Sequence, residues 1–463
     1  MYRSRHAIAA LLAALLHIAG TVSAVAAEAV PPRAAQPGER GAPPAGKVVV
    51  YKGAALFDGT GAAPRSNMAI IVRGERIESI SPAASVASLP DAEIVDVAGL
   101  YAVPGLIDSH VHLATSPNRI YAQALLRRMV YGGVTAVRDM AGDARSLAEI
   151  ARSSLAGEIP AADVYFAASM AGAGFFDDPR TRVSAVGWPP GAAPWMQAIT
   201  AETDIPLAVA RARGTGAAGI KIYADLSAAL VKKITEEAHR QGIKVWAHGA
   251  VFPAGPQDVV DAGVDVVSHI GFVSIALAPH MPQQFRELGR VDFASLLRGY
   301  QDADPTLQRI FDAMKQHGQI LDATLDSALN VEEALPGALD ASARMTRQAY
   351  RSGVMIAAGT DRRVADADPF PPLYVELELL ADKVGMPPAA VLRCATAIGA
   401  RAAGREDEMG TIEPGKLANI VFTSKNPLES IRNLRSVTLT VKRGTKYPRS
   451  EFEPISPQEA PRR

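Results

Sequence analysis

The chain of 463 residues predicts an α/β protein, a (β/α)8 TIM-like barrel with a small discontinuous β-sandwich domain formed by segments before and after it. Three observations carry this prediction. Between about Val103 and Gly404, short apolar runs alternate with helical stretches at the spacing of parallel βαβ units, and about eight such units close a barrel. On either side of that stretch, β-like runs separated by turn residues occur without helices between them. Hydrophobic residues at 48% and charged residues at 21% can build a large core, which excludes disorder as the whole answer.

Charge and cysteine content exclude further classes. Lys and Arg number 48 and so do Asp and Glu, and with no basic stripe there is no electrostatic reason to expect nucleic acid as a partner. The single cysteine, Cys394, rules out an intrachain disulfide and a cysteine-built metal cage.

Residues 1–27 read as a secretory signal peptide: Arg3 and Arg5 make a basic start, Ala7 to about Val22 is largely apolar, and Ser23 to Ala27 are mostly small. The apolar run is shorter than the ~20 residues of a membrane helix. The expectation is therefore an exported protein, periplasmic or secreted, with no stable membrane insertion after cleavage. Residues 28–46 form a Pro/Gly-rich linker, with five prolines and three glycines between Pro31 and Gly46. Residues 47–102 predict the first part of the β domain, with strands at Lys47–Tyr51, Met68–Val72, Arg76–Ile80 and Glu93–Val97. Residues 103–404 predict the barrel. Its strands are the run ending at Ile107, then Ala136–Arg138, Asp163–Ala167, Gly219–Tyr223, Lys244–Ala247, Val264–Ser268, Gln319–Ala323 and Val354–Ala358. Residues 405–448 return to β character at Met409–Glu413, Ala418–Thr423 and Val437–Arg443. Residues 449–463, polar and proline-containing, read as a flexible tail.

The chemistry gathers at predicted strand ends. His110 and His112 flank Val111, so period-two alternation points both imidazoles to one side, half of a divalent metal site at a barrel mouth. On its own such a pair is as often structural. Lys221 lies inside the apolar run Gly219–Tyr223, where an ammonium facing the lumen is badly desolvated. Either an ion pair satisfies it, or a lowered pKa lets it take up carbon dioxide as a metal-bridging carbamate. His248 and His269 end the next two runs, and Asp361 follows the last. Six ligand-capable residues thus sit at the ends of five strands.

Other signals carry less. Gly214-Thr-Gly-Ala-Ala-Gly219 matches GxGxxG but precedes a strand instead of opening a helix, so it reads as a turn. His239 lies in a polar helical stretch, His280 and His317 have no partners at strand ends, and Cys394 falls in an alanine-rich stretch predicted helical over Ala389–Ala403.

The stretch Val103-Pro-Gly-Leu-Ile-Asp-Ser-His-Val-His112, Ile-Lys-Ile around Lys221, Ala-His-Gly around His248, Ser-His269 and Ala-Gly-Thr-Asp361 resemble the metal-dependent amidohydrolase superfamily. Gly53 to Gly61 and Glu413 to Val421 are similar to its opening and closing β segments. Within it the chain resembles the imidazolonepropionase-related and Xaa-Pro-dipeptidase-like branch. The resemblance implies two divalent metal ions, zinc being expected. His110, His112 and Asp361 would hold one, His248 and His269 the other, with a carbamate on Lys221 and a hydroxide bridging them. Asp361 would take the proton of the attacking hydroxide and hand it to the leaving nitrogen. The implied substrate is a small molecule with an amide or peptide bond, a dipeptide or an N-acyl amino acid. A cyclic amide or a lactone is the alternative, and an exported binding protein with a vestigial site is the non-enzymatic one.

Substrate-binding candidates follow from position. Tyr223 shares the parity of Lys221, so its hydroxyl reaches into the mouth or its ring fills the barrel top. Arg362 and Arg363 follow Asp361, where an anionic group could be clamped. Trp246 packs a layer below His248, and Ala171 to Asp204, with Phe175, Phe176, Trp188 and Trp195, reads as a lid or specificity loop. A homo-oligomer is compatible with all of this.

Overall fold

The computed structural model describes residues 46–460 except 87, 88, 90, 363 and 364. The signal peptide, nearly all of the linker and Arg363 therefore lie outside the described residues.

The chain starts on the small sheet. Strands β1 (Val48–Leu56), β2 (Arg65–Arg73), β3 (Arg76–Pro82), β4 (Glu93–Asp96) and β5 (Tyr101–Pro104) precede the barrel. Alternation buries Val49, Tyr51 and Leu56 on one side, and their core extends to Ile420 and Phe422 from the far end of the chain. The Tyr51 and Phe422 rings stack at 5.3 Å between centroids.

Eight parallel strands follow: β6 (Leu106–Val111), β7 (Val134–Asp139), β8 (Asp163–Ala171), β11 (Gly219–Ile222), β12 (Lys244–His248), β13 (Val266–Ser268), β14 (Ile320–Asp322) and β15 (Met355–Ala357). A two-strand excursion, β9 (Ala192–Ala193) and β10 (Met196–Ala198), extends from β8. The barrel closes where Ser109 N–H donates to the Ala358 carbonyl at 2.8 Å and Asp361 N–H to the His110 carbonyl at 2.9 Å. The intervening helices begin on polar caps. Asn118, Asp143, Asp204, Ser227 and Asp304 each accept a first-turn backbone N–H, worth about 1 kcal/mol apiece.

The chain then returns to the first sheet through β16 (Ile420–Thr423), β17 (Val437–Lys442) and β18 (Thr445–Pro448). β16 pairs with β5, so both ends of the chain build one mixed sheet in the order β18-β17-β16-β5-β1-β2-β3, with β4 beside β1. β5 runs to Pro104, two residues past the predicted domain edge.

Three local readings differ from the structure. Met409–Glu413 forms no strand: Gly410 takes a φ of 94°, and Ile412 makes a single backbone bond, to the Asp58 carbonyl at 2.9 Å. Ala389–Ala403 is two helices, Pro388–Cys394 and Ala397–Ala402, broken at Thr396. The predicted flexible tail is anchored as far as residue 460. Ile455 is buried, and the Arg127 guanidinium grips both Glu459 oxygens at 2.7 and 3.0 Å. Isolated charges and prolines in sequence gave no sign of that partner. Among the described residues, no helix is long and apolar enough to cross a membrane.

Candidate metal centre

Parallel register stacks the chemistry at one end of the barrel. His248, Ser268 and Asp322 are register neighbours on β12, β13 and β14, so they share a face at adjoining strand ends. His110 is the penultimate residue of β6 with His112 just beyond the strand, Lys221 lies within β11, and His269 and Asp361 follow β13 and β15. All six residues predicted as ligands come to this mouth. Asp361 stands among the imidazoles: its carboxylate is 3.2 Å from His112 Nε2 and 3.8 Å from both His110 Nε2 and His269 Nδ1. Ligand atoms of His110, His269 and Asp361 all lie within 4.8 Å of one another.

The backbone is strained there. His269, Thr324 and Asp361, at the ends of three consecutive strands, have φ of 68°, 52° and 47°. Left-handed backbone costs a non-glycine residue on the order of 1 kcal/mol, a cost that persists only where packing enforces it and that clusters at active sites. Gly359 serves the same junction, since a Cβ there would sit 2.3 Å from Asp322 Oδ1.

Electrostatics prepare the ligands. Burial pulls the imidazoles of His248 and His269 down, His269 to about 3, so both are neutral with a free lone pair at neutral pH. Burial would raise the Asp361 carboxyl, but His110, His112 and His269 outweigh it and hold it well below the carboxylate range. Burial likewise opposes ionisation of Asp322, yet His110 and Arg138 keep it charged. An ionised Asp322 can only accept, so the 2.7 Å contact places the proton of His110 on Nδ1 and leaves Nε2 bare toward Asp361.

Lys221 is fully buried, and burial pushes its amine down to about 7. It donates a hydrogen bond to a neutral group, Ser268 Oγ, at 2.8 Å. His112 Nδ1 and His248 Nδ1 are buried without a hydrogen-bond partner among the described residues. Four imidazoles, an ionised carboxylate and a desolvated amine form a donor set that suits divalent ions such as zinc or manganese.

Several functional groups escape the sequence reading. Asp322 binds His110, accepts from Ser268 Oγ at 3.3 Å and from Arg138 Nη2 at 3.1 Å. Arg138, fully buried, also donates to the Ser109 carbonyl at 2.7 Å and lies 4.7 Å over the Trp246 ring, which packs beneath the site as expected. The signal was present: a charged residue inside an apolar strand run, the same pattern that singles out Lys221. Asp108 ties β6 to the last strand end by accepting from Thr360 Oγ1 at 2.9 Å.

Of the two substrate-binding candidates, Tyr223 lines the cavity and Arg362 does not. The Tyr223 hydroxyl donates to the Met140 carbonyl instead of reaching for a ligand, and the ring stacks on Phe175 at 5.0 Å. The Arg362 guanidinium is 2.5 Å from Asp326 Oδ1 and is absent from the cavity wall, because buried Asp326 needs a counter-charge. Arg180, from the Ala171–Asp204 excursion, lines the cavity instead. That excursion is structured and contributes Phe175, Thr181, Ser184 and Met196 to the wall. The cavity over the ligand cluster measures about 610 Å³, within the range of about 300–1,000 Å³ typical of small-molecule sites.

Solved structures share this architecture. A Xaa-Pro dipeptidase with bound methionine in its active site superposes with a TM-score of 0.68 at 21% identity, covering 87% of this chain and 100% of that one. Phenylurea hydrolase B gives 0.69 at 20% identity, covering 88% and 99%. Molinate hydrolase gives 0.67 at 18% identity, covering 90% and 98%. No curated protein matches the chain. The profile of the amidohydrolase family matches residues 101–446, from the last strand before the barrel to the closing strand of the small sheet. The chain belongs to the amidohydrolase family and is a hydrolase of carbon–nitrogen bonds.

Proposed function

We propose that the protein is a metal-dependent hydrolase that cleaves the amide bond of a small molecule, an N-acyl amino acid or a dipeptide, to an acid and an amine. One observation carries the reading: His110, His112, His248, His269, Asp361 and the buried amine of Lys221 converge at one mouth of the barrel under a single cavity. His110, His112 and Asp361 would hold one divalent ion and His248 and His269 a second, with Lys221 as carbamate between them. Such ions supply Lewis acidity, which activates water and polarises a carbonyl.

The chain's own groups do the rest. Asp361 is ionised and 26% exposed, so it can take a proton from the attacking water and pass it to the departing nitrogen. Asp322 keeps the His110 ring in one tautomer, and Phe175, Tyr223 and Phe272 keep bulk water off one side of the reaction. The test is metal content of the purified chain, together with release of amino acid from N-acyl amino acids and dipeptides with zinc or manganese added. About two ions per chain and metal-dependent release are expected, and a chain that takes up no metal and cleaves no amide overturns the reading. Export is part of the same proposal, checked by N-terminal sequencing of the secreted chain for a cut near Ala27.

A further inference from the structure

The walls of the cavity are unequal. Phe285, Phe175, Tyr223, His248 and Phe272 are linked by ring contacts of 5.6, 5.0, 4.8 and 4.7 Å, an aromatic wall that runs up to a ligand imidazole. The remaining apolar lining includes Phe293 and Leu297 from the helix Phe293–Gly299, Val331 at the end of the helix Leu325–Val331, Leu335 just beyond it, and Ala338 at the start of the next long helix. Val331 is 45% exposed, an apolar side chain left facing solvent in the wall. Apart from the metal-ligand candidates, the charged residues among the described lining are Asp178 and Arg180, already paired with each other at 2.6 Å.

This composition discriminates between substrates. A free dipeptide brings an ammonium and a carboxylate, and each needs a counter-charge once desolvated. One internally neutralised ion pair at the rim does not serve both. A bulky apolar group, by contrast, gains about 25 cal/mol for each Å² it withdraws from water, and aromatic walls add geometry to that gain.

We propose that this chamber selects amides bearing a bulky aromatic or branched aliphatic acyl group, seated between the Phe272–Phe285 wall and the residues from Phe293 to Ala338, over zwitterionic dipeptides. The inference rests on the amide-hydrolase reading and narrows its substrate class.

The experiment uses the full mature chain with zinc or manganese and follows release of alanine from N-acetyl-, N-benzoyl- and N-(2-naphthoyl)alanine and from Ala-Ala. The expected kcat/KM rises about tenfold or more from acetyl to naphthoyl, the effect of burying on the order of 50 Å² of apolar surface, with Ala-Ala slowest. Val331→Asp, a substitution at an exposed position of the chamber wall, should lower the naphthoyl value about tenfold more than the acetyl value. In parallel, calorimetry follows 2-naphthamide binding to chelator-treated wild type and Val331→Asp, with weaker binding expected in the variant. If Ala-Ala or the acetyl compound is cleaved as fast as the naphthoyl compound, the substrate-class inference fails and amide hydrolysis stands. If nothing is cleaved but 2-naphthamide binds in a Val331-dependent way, hydrolysis fails and the chamber's preference stands. If nothing is cleaved and nothing binds, both fail.

Discussion

Lys221 and Lys442 are the two buried lysines among the described residues, at 0% and 3% exposure, and they stand at opposite ends of the barrel. Lys442, on β17 beneath the barrel, is fully provided for. It pairs with Asp163 at 2.8 Å and donates to Ser154 Oγ, Ser154 O and Ala161 O at 2.8 to 3.0 Å. Lys221, at the mouth, has one hydroxyl at 2.8 Å. Burial lowers the pKa of both, but only at Lys442 do an ion pair and its hydrogen bonds oppose the shift at contact distance. The difference separates two uses of a buried charge. At the base it clamps the small sheet to the barrel, whereas at the mouth the amine has a neutral hydroxyl, Ser268, as its hydrogen-bond acceptor.

The sharpest way to break this comparison is to remove chemistry without removing structure. Asp361→Asn should lower kcat by about 10³-fold with the melting temperature within a few degrees of wild type. A comparable loss of folding would assign Asp361 to structure. Lys442→Met should do the reverse, costing about 3–5 kcal/mol in a denaturant titration by stranding half of a buried ion pair, with metal content unchanged.

Lys221→Met tests the other half. The folded pKa of Lys221, about 7, lies below the unfolded value of about 10.4, so the folded state holds fewer protons. The resulting penalty is absent above pH ~10.4, grows as pH falls and is complete below about pH 7, where it reaches about 5 kcal/mol at most. The metal-free Met variant should therefore be more stable than wild type at pH 7, and the gain should vanish near pH 10. A variant less stable than wild type at pH 7 would mean that Lys221, like Lys442, is satisfied in place.

Two smaller effects refine the mouth. Asp322→Asn should weaken metal binding about 10–100-fold in competition with a chelator, because His110 loses the partner that orients it. Arg362→Gln should leave kcat/KM within about twofold, since its guanidinium serves Asp326 and not a ligand. A larger loss in KM alone would return Arg362 to substrate binding.

Much of this was legible in the chain. Period-two and βαβ patterning reveal the eight barrel strands to within a few residues, because buried parallel strands must be apolar along their length. A cation inside such a run marked Lys221, and imidazoles at the ends of runs marked His110 and His248. The same rule applied evenly would have found Arg138 and Asp322, both inside apolar runs and both fully buried. β5 escaped because its four residues, Tyr101–Pro104, run straight into the first barrel strand, and nothing local separates a strand of one sheet from a strand of the next. Tyr223 shows the limit of parity, which sets the side of a strand but not what a hydroxyl six bonds away will meet.

Sequence alone determined the ligand types and the strand ends that bear them, since both follow from local periodicity and from the cost of burying charge. Tertiary structure decided the rest. The left-handed turns at His269, Thr324 and Asp361 exist only because neighbouring strands enforce them, and the tautomer of His110 depends on Asp322, 212 residues away. The apolar chamber is built from segments on either side of β14 that share no local pattern. Contacts between residues distant in the chain leave no periodic trace, and closure of the barrel is the event that brings them within reach.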